Sequence, residues 1–218
     1  MIVLLTKVVI VMQIINAGHK ILSSLDGDLI IHELARIARI CYKSNYVADI
    51  EANKKFIAER IKDGHESILE HKTIIVKFVC DRGVSHELVR HRLASFTQES
   101  TRYCNYTADK FNNELTFIKP RFWDEHSEDY KHWLIAMQTV EHLYKCFINT
   151  GSTPEQARCI LPNSLKTEII MTANLREWRH ILKLRTAKDA HPQMRELMCP
   201  LLKELKEKIP IIFDDIGD

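Results

Sequence analysis

Glycine is scarce in this chain, and where it falls limits what the chain can build. The six glycines among 218 residues are Gly18, Gly27, Gly64, Gly83, Gly151 and Gly217, under half the usual share of about 7%. No two lie close enough for G-x-G-x-x-G or G-x-x-x-x-G-K, the spacings at which bare backbone closes round a phosphate. A Rossmann dinucleotide fingerprint and a P-loop are thereby excluded. Any nucleotide bound here needs side-chain donors such as Arg, His and Ser, or bare helix N-termini. Charge narrows this further, because 31 Lys+Arg against 29 Asp+Glu leaves only +2, too even for gripping nucleic acid through bulk charge. A polyanion site is expected to be local.

Apolar periodicity then orders the chain. Val3 to Ile15 reads as a buried strand, Leu29 to Tyr42 as an amphipathic helix, and Ile50 to Asp63 as a second helix stopped by Gly64. The β-branched run Thr73 to Cys80 predicts a strand, and Ser85 to Leu93 a helix. Ser95 to Tyr106 is polar and aromatic, without a predicted element. Beyond a short strand Leu115 to Ile118 come a long helix Tyr130 to Asn149 and a capping box at Thr153-Pro154-Glu155-Gln156. Lys166 to Ala173 fits either a strand or a helix; Leu175 to Leu184 and Pro192 to Lys208 are helical by leucine spacing. Mixed elements without regular alternation predict an α+β class, in one domain over residues 1–218, a length able to bury a sizeable core.

The six cysteines, at 41, 80, 104, 146, 159 and 199, make no C-x-x-C and lie scattered, the pattern of reduced thiols in a cytoplasmic protein. Lys7 interrupts the apolar opening, so neither a signal peptide nor a membrane span is expected. His65 and His71 do not share a helix face and have no third ligand beside them, so no metal site is expected.

Chemistry-bearing residues concentrate between Arg90 and Arg102, where three arginines, a histidine, two serines and a glutamine occupy thirteen positions. Arg90 follows an apolar-faced turn (Val84, Leu88, Val89). Guanidinium groups near a core call for an anion.

Arg90-His91-Arg92, seven residues, then Ser100 resembles the signature of the flavin-dependent thymidylate synthases, and Gln98-Glu99-Ser100-Thr101-Arg102-Tyr103 resembles its extended form. Further stations of that family are matched in order by Gly64-His65-Glu66-Ser67 with Glu70-His71, by Ala157-Arg158 with Leu161-Pro162, by Asn174-Leu175-Arg176, and by Leu184-Arg185. The resemblance runs from about Ala38 to the C-terminal helix. It implies an α+β fold with a mixed or antiparallel sheet flanked by helices, and reductive methylation of dUMP to dTMP. Methylenetetrahydrofolate would give the carbon, FAD would carry the hydride, and NADPH would reduce the flavin. It also implies a cytoplasmic homotetramer with flavin sites built between subunits and neither nucleic acid nor membrane as partner.

Carried over by the resemblance, the flavin residues are Ser67, Arg90, His91, Arg92, Gln98, Asn174, Leu175, Arg176 and His180. The dUMP residues are Glu87, Leu88, Val89, Arg90, Gln98, Glu99, Ser100, Thr101, Arg102, Arg158 and Arg185, with Arg185 closest to the chemistry. His180 stands where some members carry Asn, and Cys41 where some carry Ser. The spacing from Arg185 to His191 is slightly longer than in some members, which leaves His191 unassigned. No cysteine has the cationic setting of a reactive thiolate. Ser100 lacks an oriented base, since His91, nine residues earlier, has no visible carboxylate partner to hold its tautomer. The expectation is therefore that no enzyme nucleophile adds to the uracil ring. Alternatives from other classes are a nucleic-acid-binding module using Arg82 to Arg102, or a flavoprotein without methyl transfer.

Overall fold

The computed structural model describes residues 12–217. Most of the expected Val3 to Ile15 strand lies outside the described residues, and its end is β1 (Gln13–Ile15). There follow β2 (Gly18–Ile21), α1 (Gly27–Tyr42), α2 (Ile50–Lys62), a 3-10 turn (Glu66–His71), β3 (Thr73–Asp81), α3 (Arg82–Leu88), β4 (Ala94–Gln98), β5 (Thr116–Ile118), α4 (Glu128–Asn149), α5 (Pro154–Ala157), β6 (Lys166–Asn174), α6 (Leu175–Arg185) and α7 (Pro192–Lys208). The class is α+β. Four strands form an antiparallel sheet in the order β2-β3-β6-β4, and β1 pairs in parallel with β5.

Lys166 to Ala173, which periodicity leaves ambiguous, is a strand because β3 offers it a full-length partner. The register runs from Thr73 opposite Asn174 to Asp81 opposite Lys166. Burial alternates on both strands: Ile74, Val76, Phe78 and Cys80 on β3, with Thr167, Ile169, Met171 and Ala173 on β6, face inward. On the opposite face Glu168 pairs with Lys77 and Lys166. One face is dry and the other wet, as in half-covered antiparallel sheets.

The buried face is covered by α1, α6 and α7, whose Ile30, Leu34, Trp178, Leu182, Leu197 and Leu201 join the sheet residues in one apolar cluster. A second cluster gathers Tyr144, Trp133, Phe117 and Leu165 where α4 meets β5. Gly27 is required by packing, since a Cβ there would lie 2.3 Å from the Lys208 carbonyl oxygen. Gly64 (φ +76) and Gly151 (φ +96) turn the chain after α2 and α4 in the left-handed region. The Thr153–Gln156 capping box forms as expected, although α5 is a single turn.

Two expectations need correction. The helix predicted over Ser85 to Leu93 begins three residues earlier and stops at Leu88, because the Asp81 carboxylate accepts from the Val84 amide at 2.8 Å and starts the helix as soon as β3 ends. The stretch predicted without structure, Ser95 to Tyr106, opens with β4, whose polar residues are accommodated because it is an edge strand and Ser95 and Thr97 face solvent.

Candidate active site

Three connections bring the chemistry-bearing residues together. β3 hands over to α3 at Asp81; the turn after Leu88, closed by the His91 amide on the Leu88 carbonyl, hands over to β4; and β6 hands over to α6 at Asn174, whose side chain caps the helix through the Glu177 amide. α6 therefore ends with Arg185 against the turn that carries Arg90-His91-Arg92. Arg185 donates from Nη1 to Glu87 Oε2 at 2.6 Å, from Nη2 to the Glu87 carbonyl at 3.2 Å, and from Nε to His91 Nε2 at 3.0 Å. A guanidinium has five N–H donors. Three are committed, so one on each terminal nitrogen is left over.

The contact with Arg185 fixes the state of His91. Arginine can only donate, so Nε2 is the accepting nitrogen and the ring proton sits on Nδ1. That nitrogen lies 3.8 Å from Glu177 Oε1, with both side chains at least nine-tenths buried. Burial, then the Arg185 charge and His180, push the His91 pKa down to about 4. The imidazole is neutral across the physiological range. The expectation that His91 has no carboxylate beside it is thus corrected, because α6 brings Glu177 under it from 86 positions further along the sequence. His91 is still no general base for Ser100, since its only lone pair is occupied by Arg185.

Of the expected flavin residues, Asn174, Arg176 and His180 share a depression of about 720 Å³ with Leu93 and Glu66. Ser67 lies in an adjoining depression of about 360 Å³ with Cys41 and His65, and Arg176 and Glu66 border both. Arg90 and Arg92 are exposed on the turn and line neither depression. Leu175 is fully buried in the core, and its amide is spent on the Lys72 carbonyl. No donor of Leu175 is free for a cofactor. His191 lies with Asp81, Glu87 and Asn163 in a separate cavity of about 400 Å³.

The other expected nucleotide residues follow β4. Ser85 donates its hydroxyl proton to the Arg82 carbonyl, so its oxygen can only accept, and Gln98 must face it with the amide nitrogen, at 2.9 Å. The second amide proton goes to Thr167 Oγ1 at 3.2 Å. Gln98 therefore presents an acceptor oxygen alone. Glu99 is held by the Tyr106 hydroxyl at 2.8 Å and Lys166 at 2.9 Å. Thr101 is buried, and Ser100 Oγ accepts from the Arg102 amide. The Arg102 side chain pairs with Glu155 on α5 at 3.1 Å, about half exposed on both sides, and Arg158 follows directly on that helix. This pairing brings the Arg102 side chain to the one-turn helix that Arg158 follows in sequence. Leu88 is buried, and Val89 is exposed.

Sequence reasoning missed Glu177, Arg179 and Lys183. Arg179 is buried and clamps Glu66, Asp215 and the Ile212 carbonyl, fixing the 3-10 turn against α6. Glu177 and His180 sit at i and i+3, one helix face, a signal available in the sequence. Together with His91 their ligand atoms lie within 4.8 Å of one another. A metal would need the His91 lone pair, and Arg185 already occupies it. The trio does not match a zinc site. Cys80 is buried, and burial and Asp81 hold its thiol far above the usual range. Cys104 is also raised, by burial and Glu99. All six cysteines are unpaired thiols. No helix among the described residues is long and apolar enough to cross a membrane.

A family model described as "Thymidylate synthase complementing protein" matches residues 29–211. A flavin-dependent thymidylate synthase of Pyrococcus furiosus is 43% identical over 146 residues, covering 66% of this chain and 59% of that protein. One of Geobacter sulfurreducens is 32% identical over 191 residues, covering 84% and 81%. The chain thus spans about three-fifths of the length of the Pyrococcus relative. A solved UMP/dUMP methylase of Streptomyces cacaoi, bound with 5-Br dUMP, superposes with a TM-score of 0.75 at 21% identity, over 93% of this chain and 96% of that one. That likeness is one of fold.

Proposed function

The chain belongs to the thymidylate synthase complementing protein family, and on that premise we propose that it is a flavin-dependent thymidylate synthase, converting dUMP to dTMP with methylenetetrahydrofolate as carbon donor and NADPH as reductant. The observation that carries the reading is the Arg185 fork, anchored on Glu87 and His91 with two donors to spare. Donors fixed in advance and aimed at a carbonyl that gains negative charge stabilise the transition state more than the ground state. Hydride addition to a uracil ring develops such charge. Arg185 meets it without surrendering a proton, and neutral His91 orients the fork without adding competing charge.

The remaining nucleotide residues have matching chemistry. Gln98 offers an acceptor, which suits the N3–H of uracil and would be repelled by the corresponding lone pair of cytosine. Arg102 pairs with Glu155 at an exposed position, where an ion pair is worth about 0–1 kcal/mol. A dianionic phosphate held by Arg102, Ser100 and Arg158 can replace it. Leu88 and Val89 would shape the wall beside Glu87, and Glu99 and Thr101 would hold the loop in place.

The side chains also fit FAD, which supplies hydride chemistry when bound. Ser67, Asn174, Arg176 and His180 border contiguous depressions whose volumes lie in the range of ligand sites. The larger depression sets Arg176, Arg179 and Lys183 against Glu66, Glu70 and Glu177, no surplus for a pyrophosphate. Arg90 and Arg92 are the available surplus. Their turn continues into exposed Leu93 and edge strand β4, and an unpaired edge beside exposed apolar side chains favours association. We therefore read the protein as a homotetramer in which one subunit's Arg90-His91-Arg92 turn completes another's flavin depression.

Purified protein should be yellow and should release tritium from C5-labelled dUMP only when NADPH and methylenetetrahydrofolate are present. Colourless protein, or no release with all components supplied, would overturn the assignment.

A further inference from the structure

Away from the residues assigned to dUMP, a cavity of about 600 Å³ opens between the segment after α6 and the outer face of α7. Lys183, Lys188, Arg195, Lys203 and Lys206 surround it. On α7 the lining positions 195, 199, 203 and 206 follow each other at spacings of three and four, one stripe of the helix. Among the described residues Lys188, Lys203 and Lys206 have no carboxylate within ion-pair distance. Lys183 reaches Asp215 at 3.6 Å, and Arg195 uses its Nε on the Thr186 carbonyl at 3.3 Å. In a chain of net charge +2, five cations round one cavity with a single acidic partner among the described residues is a local excess that repels itself, to which the like pair Lys203 and Lys206, three apart on a helix, contributes. An anion relieves that repulsion.

The floor identifies the rest of the ligand. Leu202, Ala187 and the Cys199 side chain give an apolar surface between the cations, which a bare inorganic ion would leave wet. The volume lies within the range that accepts a ligand of nucleotide size. We infer that this cavity is a second, separate anion site that takes an organic polyphosphate, its phosphates among the lysines and its base or sugar on Leu202. Lys183 lies two residues before Arg185 and also borders the larger flavin depression. An occupant is thus adjacent to the proposed active site without sharing its dUMP residues, so either reading can fail alone.

The probe is ATP, titrated calorimetrically into the intact protein saturated with dUMP, with inorganic tripolyphosphate and adenosine as separate arms. One ATP per subunit is expected, bound more tightly than either fragment, with K203Q/K206Q weakening it by roughly tenfold or more and leaving dUMP affinity unchanged. In the unaltered protein ATP should slow maleimide labelling of Cys199, followed by peptide mass spectrometry, a readout that needs no variant to fold. Displacement of ATP by NADPH would identify the reductant as occupant; displacement by nucleoside triphosphates alone would identify an effector; both support the site. No binding at millimolar ATP, competition by dUMP, tripolyphosphate binding as tightly as ATP, or unprotected Cys199 would each overturn it.

Discussion

Replacing Arg185 with Lys keeps the positive charge and removes the fork. An ammonium group can hold Glu87 Oε2, but it cannot also reach the Glu87 carbonyl and His91 Nε2, so two of the three hydrogen bonds are lost. Bonds from a charged donor are each worth about 1.5–3 kcal/mol when well buried. Two such bonds amount to about 3–6 kcal/mol, and because the Arg185 side chain retains 17% exposure the combined loss of native stability falls at the lower end, about 3 kcal/mol. Turnover is expected to fall further than stability, by about 10²–10³, the usual consequence of removing one preorganised donor from a developing oxyanion. The assay is tritium release from C5-labelled dUMP at saturating substrate, with bound flavin read by absorbance and stability by urea unfolding. Arg185→Lys should be folded, yellow and slow. Turnover at the parental rate would refute the role given to the fork, whatever happened to stability.

Acidification should destabilise the protein through His91. Its folded pKa, about 4, lies below the ordinary 6.5, so between those values the unfolded chain binds the proton first, and stability that is full above about pH 6.5 declines towards pH 4, by up to about 3 kcal/mol. Urea midpoints measured across that window should slope less in His91→Asn; equal slopes would sink the assignment. Arg102→Ala should weaken dUMP binding by about tenfold or more and leave flavin content unchanged, and equal losses of both affinities would count against a phosphate-binding role. Replacing all six cysteines by Ser or Ala, and separately Ser100 by Ala, should leave measurable dTMP formation; complete loss in either, with fold and flavin retained, would mean that an enzyme nucleophile exists. Sedimentation should report a tetramer, and a monodisperse monomer retaining full flavin would refute the shared site.

Local rules were legible in the sequence wherever the physics is local. The helix at Leu29 to Tyr42, the Gly64 and Gly151 stops, the Thr153 capping box and the β3 strand follow from side-chain periodicity, left-handed backbone and short-range hydrogen bonds, all contained within a few residues. The signature Arg90 to Arg102 and its companion stations could be read as a resemblance because they are fixed words in fixed order. What tertiary structure decided was every property that needs two distant segments. Lys166 to Ala173 is a strand because β3 lies beside it, and β4 exists because β6 offers an edge. His91 is neutral because the fold buries it and sets Arg185, 94 residues away, against its lone pair. Glu177 lies beside it only because α6 folds back over the turn. The Leu175 side chain is buried because the core needs it, while Arg102 reaches Glu155 on the helix that precedes Arg158. Burial and long-range charge pairing have no sequence period, so a residue's identity was readable before folding, whereas its protonation state and its spare hydrogen-bond donors followed from the packing around it.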